Sequence, residues 1–155
     1  MRILQPAPPF VLPSDDGEPC SVESFRGQWV VLVFYPRDFS PVCTRQLCHY
    51  RDRWEELALD GVVVLGVSPD SVERHREFQQ RYGVPFRLLS DPALEVFRRY
   101  RMAIAGRLPA RGVVIVDPVG RVRYWWRSLT GLRYPSARAI RERLLAIMRT
   151  EEPPQ

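Results

Sequence analysis

The chain has 155 residues and a formal charge of +5, with 45% apolar and 11% aromatic residues, enough to build one domain with a substantial core. Its strongest apolar runs, residues 29–35 and 61–67, are far too short to cross a bilayer, and the first ten residues hold no signal-peptide stretch. A single soluble domain over residues 1–155, cytoplasmic and without a membrane partner, is the expectation. All 23 basic residues are arginine, with no lysine and no asparagine, as G+C-rich coding produces. A nucleic-acid surface is not expected, because the one basic-aromatic stretch, residues 123–134, reads more simply as an outer strand followed by a loop.

The Pro-rich start, residues 5–13, reads as an irregular arm, and Cys20 in the polar stretch that follows as an incidental surface thiol. Residues 29–36 (WVVLVFYP) and 61–68 (GVVVLGVS) are near-continuous Val/Leu runs, the pattern of parallel strands buried on both faces. Between them, Leu47, Tyr50, Trp54 and Leu57 recur at helical spacing and predict one helix over 44–60 with a single apolar stripe. A second helix is predicted over 69–83, capped by Asp70 or Ser71 and closed by Gly83. His49 and His75 read as solvated helix residues without a catalytic role. Residues 86–90 predict a short strand, and 91–101 a third helix with Asp91 as N-cap and Pro92 at its first position. Residues 111–126 predict a hairpin turning at 118–120. A last helix over 135–150 carries Ala137, Ile140, Leu144, Ile147 and Met148 on one side, and a frayed tail occupies about 150–155. This order predicts an α/β layered sheet with an antiparallel C-terminal hairpin, and ligands in such sheets bind beyond the carboxyl ends of the strands.

Residues 34–44 (FYPRDFSPVCT) fall at such a place. Pro36 ends the first buried strand, and Pro41 is suited to start a helix because its missing N–H would be unpaired there. Cys43 then lies in the first turn, where unpaired backbone N–H groups and the positive end of the helix dipole favour an anion; thiolate is the nucleophilic form of cysteine. The Ser40 hydroxyl, three residues earlier, can donate to the thiolate or to a bound oxygen ligand. Cys48 follows five residues after Cys43, which on an intact helix separates the Cα atoms by about 8.6 Å. A disulfide wants less than about 7 Å, so the two can bond only if the helix unwinds. Such a pair suits a catalyst that oxidises Cys43 alone and closes a bridge in a second conformation. With three cysteines there is no even disulfide framework, and Cys43, Cys48 and His49 have a poor spacing for zinc.

Residues 34–48 (FYPRDFSPVCTRQLC) resemble the peroxiredoxin signature Pro-x-x-x-Thr/Ser-x-x-Cys through Pro36, Ser40 and Cys43. They are most similar to the bacterioferritin-comigratory-protein, or peroxiredoxin Q, branch, whose resolving cysteine follows at the spacing of Cys48. Residues 81–100 and 110–127 are similar to the family's later segments, and Arg111 stands where the family has its essential arginine. The resemblance implies a thioredoxin-like fold, a central mixed sheet flanked by helices with an N-terminal extension. It implies a thiol peroxidase for hydrogen peroxide and organic hydroperoxides that needs no metal or organic cofactor. In that scheme Cys43 attacks, Arg111 and Ser40 hold the peroxide, Cys48 resolves, and thioredoxin or a similar dithiol protein regenerates the thiols, in a monomer or homodimer. Two positions depart from the pattern: Ser40 where threonine is commoner, and Gln46 where glutamate is usual. A redox-sensing or binding module on the same fold is the alternative.

Overall fold

The computed structural model describes residues 1–150, so residues 151–155 of the predicted tail lie outside the described residues. Strands β1 (Val11–Pro13) and β2 (Pro19–Ser21) pair antiparallel, and a short 3-10 turn, Val22–Phe25, leads into β3 (Trp29–Phe34). The chain continues through α1 (Pro41–Asp52), α2 (Trp54–Leu57), β4 (Val62–Ser68), α3 (Val72–Tyr82), β5 (Arg87–Ser90) and α4 (Glu95–Arg99). A two-residue pair, β6 (Ala103–Ile104) with β7 (Leu108–Pro109), precedes β8 (Gly112–Val116), β9 (Val122–Arg127) and α5 (Ala137–Arg149). Five strands form one sheet in the order β5-β4-β3-β8-β9; β3, β4 and β5 are parallel, and β8 and β9 join antiparallel. This is the predicted mixed α/β sheet with its C-terminal hairpin, and β9 is the outer strand.

β3 is buried along its whole length because the sheet is covered on both faces. Val30, Leu32 and Phe34 point to one core with the N-terminal hairpin and α4, where Phe34 meets Phe97 edge-on at 5.1 Å. Val31, Val33 and Tyr35 point to the other core, with Leu47 and Tyr50 of α1, Phe78 of α3, and Ile140 and Leu144 of α5. Strand periodicity sends alternate side chains to opposite faces, so a sheet sandwiched between two apolar layers needs a continuous apolar run.

Several local expectations are corrected. The helix predicted over 44–60 is interrupted at Arg53 (φ −113°, ψ 30°), which lets Trp54 turn toward Phe86, with ring centroids 5.8 Å apart. The third helix starts at Glu95 instead of Asp91. Leu94 is left-handed (φ 58°), and the Asp91 carboxylate reaches across this turn to accept the Phe97 N–H at 2.9 Å. The N-terminal arm is not wholly irregular, since it supplies β1. Cys20 is no surface thiol: opposite Leu12 in the β1–β2 hairpin it is buried in the first core, and burial pushes its thiol up. The caps of α3 and α5 are Ser71 and Ser136, each accepting an N–H three residues on.

The register of β3 against β8 positions the site. Phe34 pairs with Gly112, so the residue before Gly112 lies beside the carboxyl end of β3. A side chain at 112 would place its Cβ 2.5 Å from the Met102 side chain and from the Trp126 carbonyl oxygen, so only glycine lets these segments close up.

Candidate active site

Beyond β3 the chain runs through Tyr35 and Pro36 to Phe39, a non-glycine residue in the left-handed region (φ 65°). That conformation is costly for an aromatic residue and persists where surrounding structure imposes it. Here Phe39 packs edge-on against Phe78 of α3 at 5.3 Å, with the Arg74 guanidinium 4.6 Å over its ring. The turn delivers Ser40 as the N-cap of α1, its Oγ accepting the Cys43 N–H at 3.3 Å, and Pro41 fills the first turn. The Ser40 hydroxyl donates to the Arg37 carbonyl at 3.2 Å in this state.

Cys43 is buried at 1% exposure, and its Sγ accepts from Arg111 Nη2 at 3.1 Å. Arg111 is 3% exposed and is held by two further acceptors: its Nε donates to the Gly131 carbonyl at 3.0 Å, and its Nη1 to Gln46 Oε1. Gln46 Nε2 faces Tyr50 Oη at 3.2 Å, and Tyr50 donates to the Pro135 carbonyl at 2.8 Å. Cys43, Gln46 and Tyr50 sit at spacings of three and four on one face of α1, which is why one helix presents all three to Arg111 and the loop after β9. Burial drives the Tyr50 phenol far above its ordinary range, so it stays neutral and donates.

Cys48 lies on α1 but off that face, half-buried; desolvation pushes its thiol up, with Arg51 opposing. His49 is not solvated as predicted: its Nε2 accepts the Ala137 N–H at 3.0 Å, and burial together with Arg53 lowers its pKa. The structure therefore brings Cys43, Arg111 and Ser40 together at one end of α1, with Pro36 at the exit of β3, and leaves Cys48 apart. The two cysteines are free thiols.

A second group behind the site was not anticipated. His75, expected to be solvated, is fully buried, with Nδ1 2.5 Å from Asp38 Oδ2 and Nε2 3.0 Å from the Leu89 carbonyl. A carbonyl oxygen only accepts, so Nε2 carries a hydrogen, and a proton lies between Nδ1 and the carboxylate. Tyr35 Oη donates to Asp38 Oδ1 at 2.7 Å, and Asp70 accepts the Asp38 N–H. This network ties the turn that aims Cys43 to α3 and to the ends of β4 and β5. His75, Phe78 and Tyr82 fall at spacings of three and four, so periodicity alone places His75 on the inner face of α3.

A buried thiol in the first turn of a helix, at the carboxyl end of the central strand and against a guanidinium donor, defines a thiol-chemistry protein on a thioredoxin-like sheet. The chain belongs to the AhpC/TSA family, whose sequence model matches residues 3–125. It is 47% identical over 104 residues to a putative peroxiredoxin bcp of Coxiella burnetii, covering 67% of this chain and 69% of that one. With the peroxiredoxin Bcp of Bacillus subtilis the identity is 35% over 141 residues, covering 83% and 87%. The solved bacterioferritin comigratory protein of Xanthomonas campestris, characterised for alkyl peroxide reduction, superposes with a TM-score of 0.77 at 27% identity over 88% of this chain and 90% of that one. Chloroplastic peroxiredoxin Q relatives are longer, and the matched segment spans 55–63% of each. The peroxiredoxin resemblance, its bacterioferritin-comigratory branch and the thioredoxin-like fold are borne out.

Proposed function

We propose that this chain is a single-domain thiol peroxidase that reduces hydrogen peroxide and organic hydroperoxides. Family membership supports thiol-dependent peroxide reduction, and the observation that carries the assignment of residues is the 3.1 Å contact between Arg111 Nη2 and Cys43 Sγ, both residues buried. Cys43 is the attacking thiolate: a guanidinium hydrogen and the α1 N-terminus both favour negative charge on its sulfur. It attacks the terminal oxygen of the hydroperoxide; the S–O bond forms, the O–O bond breaks, and the bonding pair leaves on the departing oxygen. Arg111 and the Cys43 N–H stabilise charge moving onto that oxygen. The Ser40 hydroxyl joins them by turning from the Arg37 carbonyl, and Pro36 walls the pocket.

Cys48 resolves the sulfenic acid, giving a disulfide and water. Off the Cys43 face, with its thiol held up by burial, it takes no part in the first attack and reaches Cys43 only after α1 unwinds. Thioredoxin or a similar dithiol protein reduces the bridge by exchange, returning both cysteines to thiols in a reducing compartment such as the cytoplasm. Among the described residues no helix is long and apolar enough to cross a membrane.

The test is peroxide-dependent NADPH oxidation through thioredoxin and its reductase. Wild type turns over, and Cys43→Ser loses activity; full activity surviving that substitution would refute the assignment. Intact mass after one equivalent of peroxide falls by two hydrogens when Cys48 resolves, whereas a lasting sulfenic acid removes Cys48 from the cycle.

A further inference from the structure

The loop that joins β9 to α5, residues 128–136, places the Gly131 carbonyl 3.0 Å from Arg111 Nε. Its own leucines do not hold it down, since Leu129 and Leu132 are 99% and 67% exposed. The near end is fixed at Ser128, whose N–H donates to the Arg111 carbonyl at 2.8 Å and whose Oγ accepts the Gly131 N–H at 2.9 Å. The far end is gripped by two adjacent residues of α1. Tyr50 Oη donates to the Pro135 carbonyl at 2.8 Å, and His49 Nε2 accepts the Ala137 N–H at 3.0 Å.

The Ala137 N–H is one of the first four of α5, which have no partner inside the helix. Ser136 Oγ takes the N–H of Ala139, and His49 takes that of Ala137 from a different helix. A ring nitrogen that accepts carries no hydrogen, so neutral His49 has its hydrogen on Nδ1.

We propose that His49 is a positioning residue for Arg111: neutral, it fastens the end of the 128–136 loop to α1 and so keeps the Gly131 carbonyl on the guanidinium; protonated, it releases that end. His49 acts through the loop and not on the reacting atoms. The inference rests on the peroxidase reading for its kinetic consequence, while the fastening itself is measurable without peroxide.

A proton on Nε2 would set two N–H donors against each other and place an imidazolium at the positive end of the α5 dipole. Burial lowers the His49 pKa from its ordinary 6.5, Arg53 lowers it further, and Asp52 opposes. Among the described residues, the other groups around the ring supply no spare anion. Tyr50 stays neutral through burial, the Cys48 thiol is pushed up, and Tyr134 packs its ring at a centroid distance of 6.1 Å. At the start of α5, Arg138 and Arg141 pair with Glu142 and with Glu56 of α2, and Arg133 of the loop is exposed. The fastening is therefore complete above the ordinary value and is lost as pH falls through the lowered one.

Three measurements on the reduced chain, from about pH 7.5 down to about pH 4.5, test this. Nitrogen-15 NMR reads the tautomer and titration of His49; amide exchange reads the protection of Ala137, with β3 as the monitor of global folding; stopped-flow oxidation by hydrogen peroxide gives the rate constant. His49→Gln offers an amide oxygen that accepts without titrating, and His49→Leu fills the space and accepts nothing. At neutral pH the ring is expected as the Nδ1–H tautomer. Through its NMR midpoint, wild type loses Ala137 protection by about tenfold while β3 stays protected. Across the same midpoint the wild-type rate constant, divided by that of His49→Gln at each pH so that titrations common to both cancel, falls about threefold or more. Above the midpoint, His49→Leu already shows these losses, and His49→Gln restores both readouts to within about twofold of wild type. Parallel pH profiles for wild type and His49→Gln would overturn the proposal. So would the Nε2–H tautomer at neutral pH, a ring that does not titrate in this range, His49→Leu indistinguishable from His49→Gln, or loss of β3 protection together with Ala137. If His49→Leu does not fold, the comparison of wild type with His49→Gln decides alone. Absence of oxidation of wild type by peroxide is a separate result: it defeats the peroxidase reading and leaves the tautomer and the Ala137 protection standing. Normal oxidation with a rate ratio that is flat across the midpoint defeats this inference alone.

Discussion

Replacing His75 by leucine takes a fully buried ring away from both of its hydrogen-bond partners. The Asp38 carboxylate, 1% exposed, loses its contact at 2.5 Å and keeps the Tyr35 hydroxyl as its side-chain partner at 2.7 Å, and the Leu89 carbonyl loses a donor at 3.0 Å. Breaking a buried pair from one side costs about 3–5 kcal/mol, because the other charge is left without compensation. For a chain of this length that corresponds to a melting temperature lower by about 6–20 °C. The reasoning makes a sharper statement about the double variant. If the cost is the stranded carboxylate, His75→Leu with Asp38→Asn removes the charge as well as the ring and should be more stable than His75→Leu alone by about 1–3 kcal/mol. Urea unfolding of the reduced chain at pH 7, followed by tryptophan fluorescence and circular dichroism, measures both. A single variant within about 1 kcal/mol of wild type, or a double variant no more stable than the single, would refute the account.

Gly112→Ala should destabilise the chain by about 1–3 kcal/mol, because the new methyl meets Met102 and the Trp126 carbonyl at 2.5 Å, and it should lower peroxidase activity further by displacing neighbouring Arg111. Thermal melts and kcat/KM check it, and unchanged activity would show that Arg111 is placed by something other than the β3–β8 contact. Cys48 alkylation by iodoacetamide in Cys20→Ser/Cys43→Ser should rise with pH around a midpoint above the ordinary value of 9.0, because burial holds the thiol up. The linkage has a definite sign: a pKa raised on folding contributes stability that is present below the unfolded value and lost as pH rises through the folded one. Stability should therefore fall at alkaline pH more steeply with Cys48 present than in Cys48→Ser.

The fold was legible where burial leaves an unbroken signature. β3 and β4 read as buried strands because both faces of the sheet are covered, and α1 betrayed its inner face through Leu47 and Tyr50. Where an element's limits depend on distant partners the sequence was less direct: the break at Arg53 serves the Trp54–Phe86 contact, and the late start of α4 follows from the Asp91 carboxylate spanning a turn. Cys20 sits among polar letters yet is covered by a hairpin whose strands are three residues each, too short for periodicity to register. In the site, spacing along one helix set out Ser40, Cys43 and Cys48, and resemblance supplied Arg111. The partnership of Arg111 with Gln46, 65 positions apart, and of Asp38 with His75, 37 apart, exists only once the sheet has assembled.

The pairing of Phe34 with Gly112 makes the pocket intolerant of insertions and deletions in places that hold no reacting group. One residue gained or lost within β8, with the later part of the strand held in register, would turn every preceding side chain to the opposite face and carry Arg111 about 3.4 Å along the strand, away from the sulfur it faces. The chemistry thus depends on counting: a change of length in this ladder would silence the enzyme with every functional side chain still present.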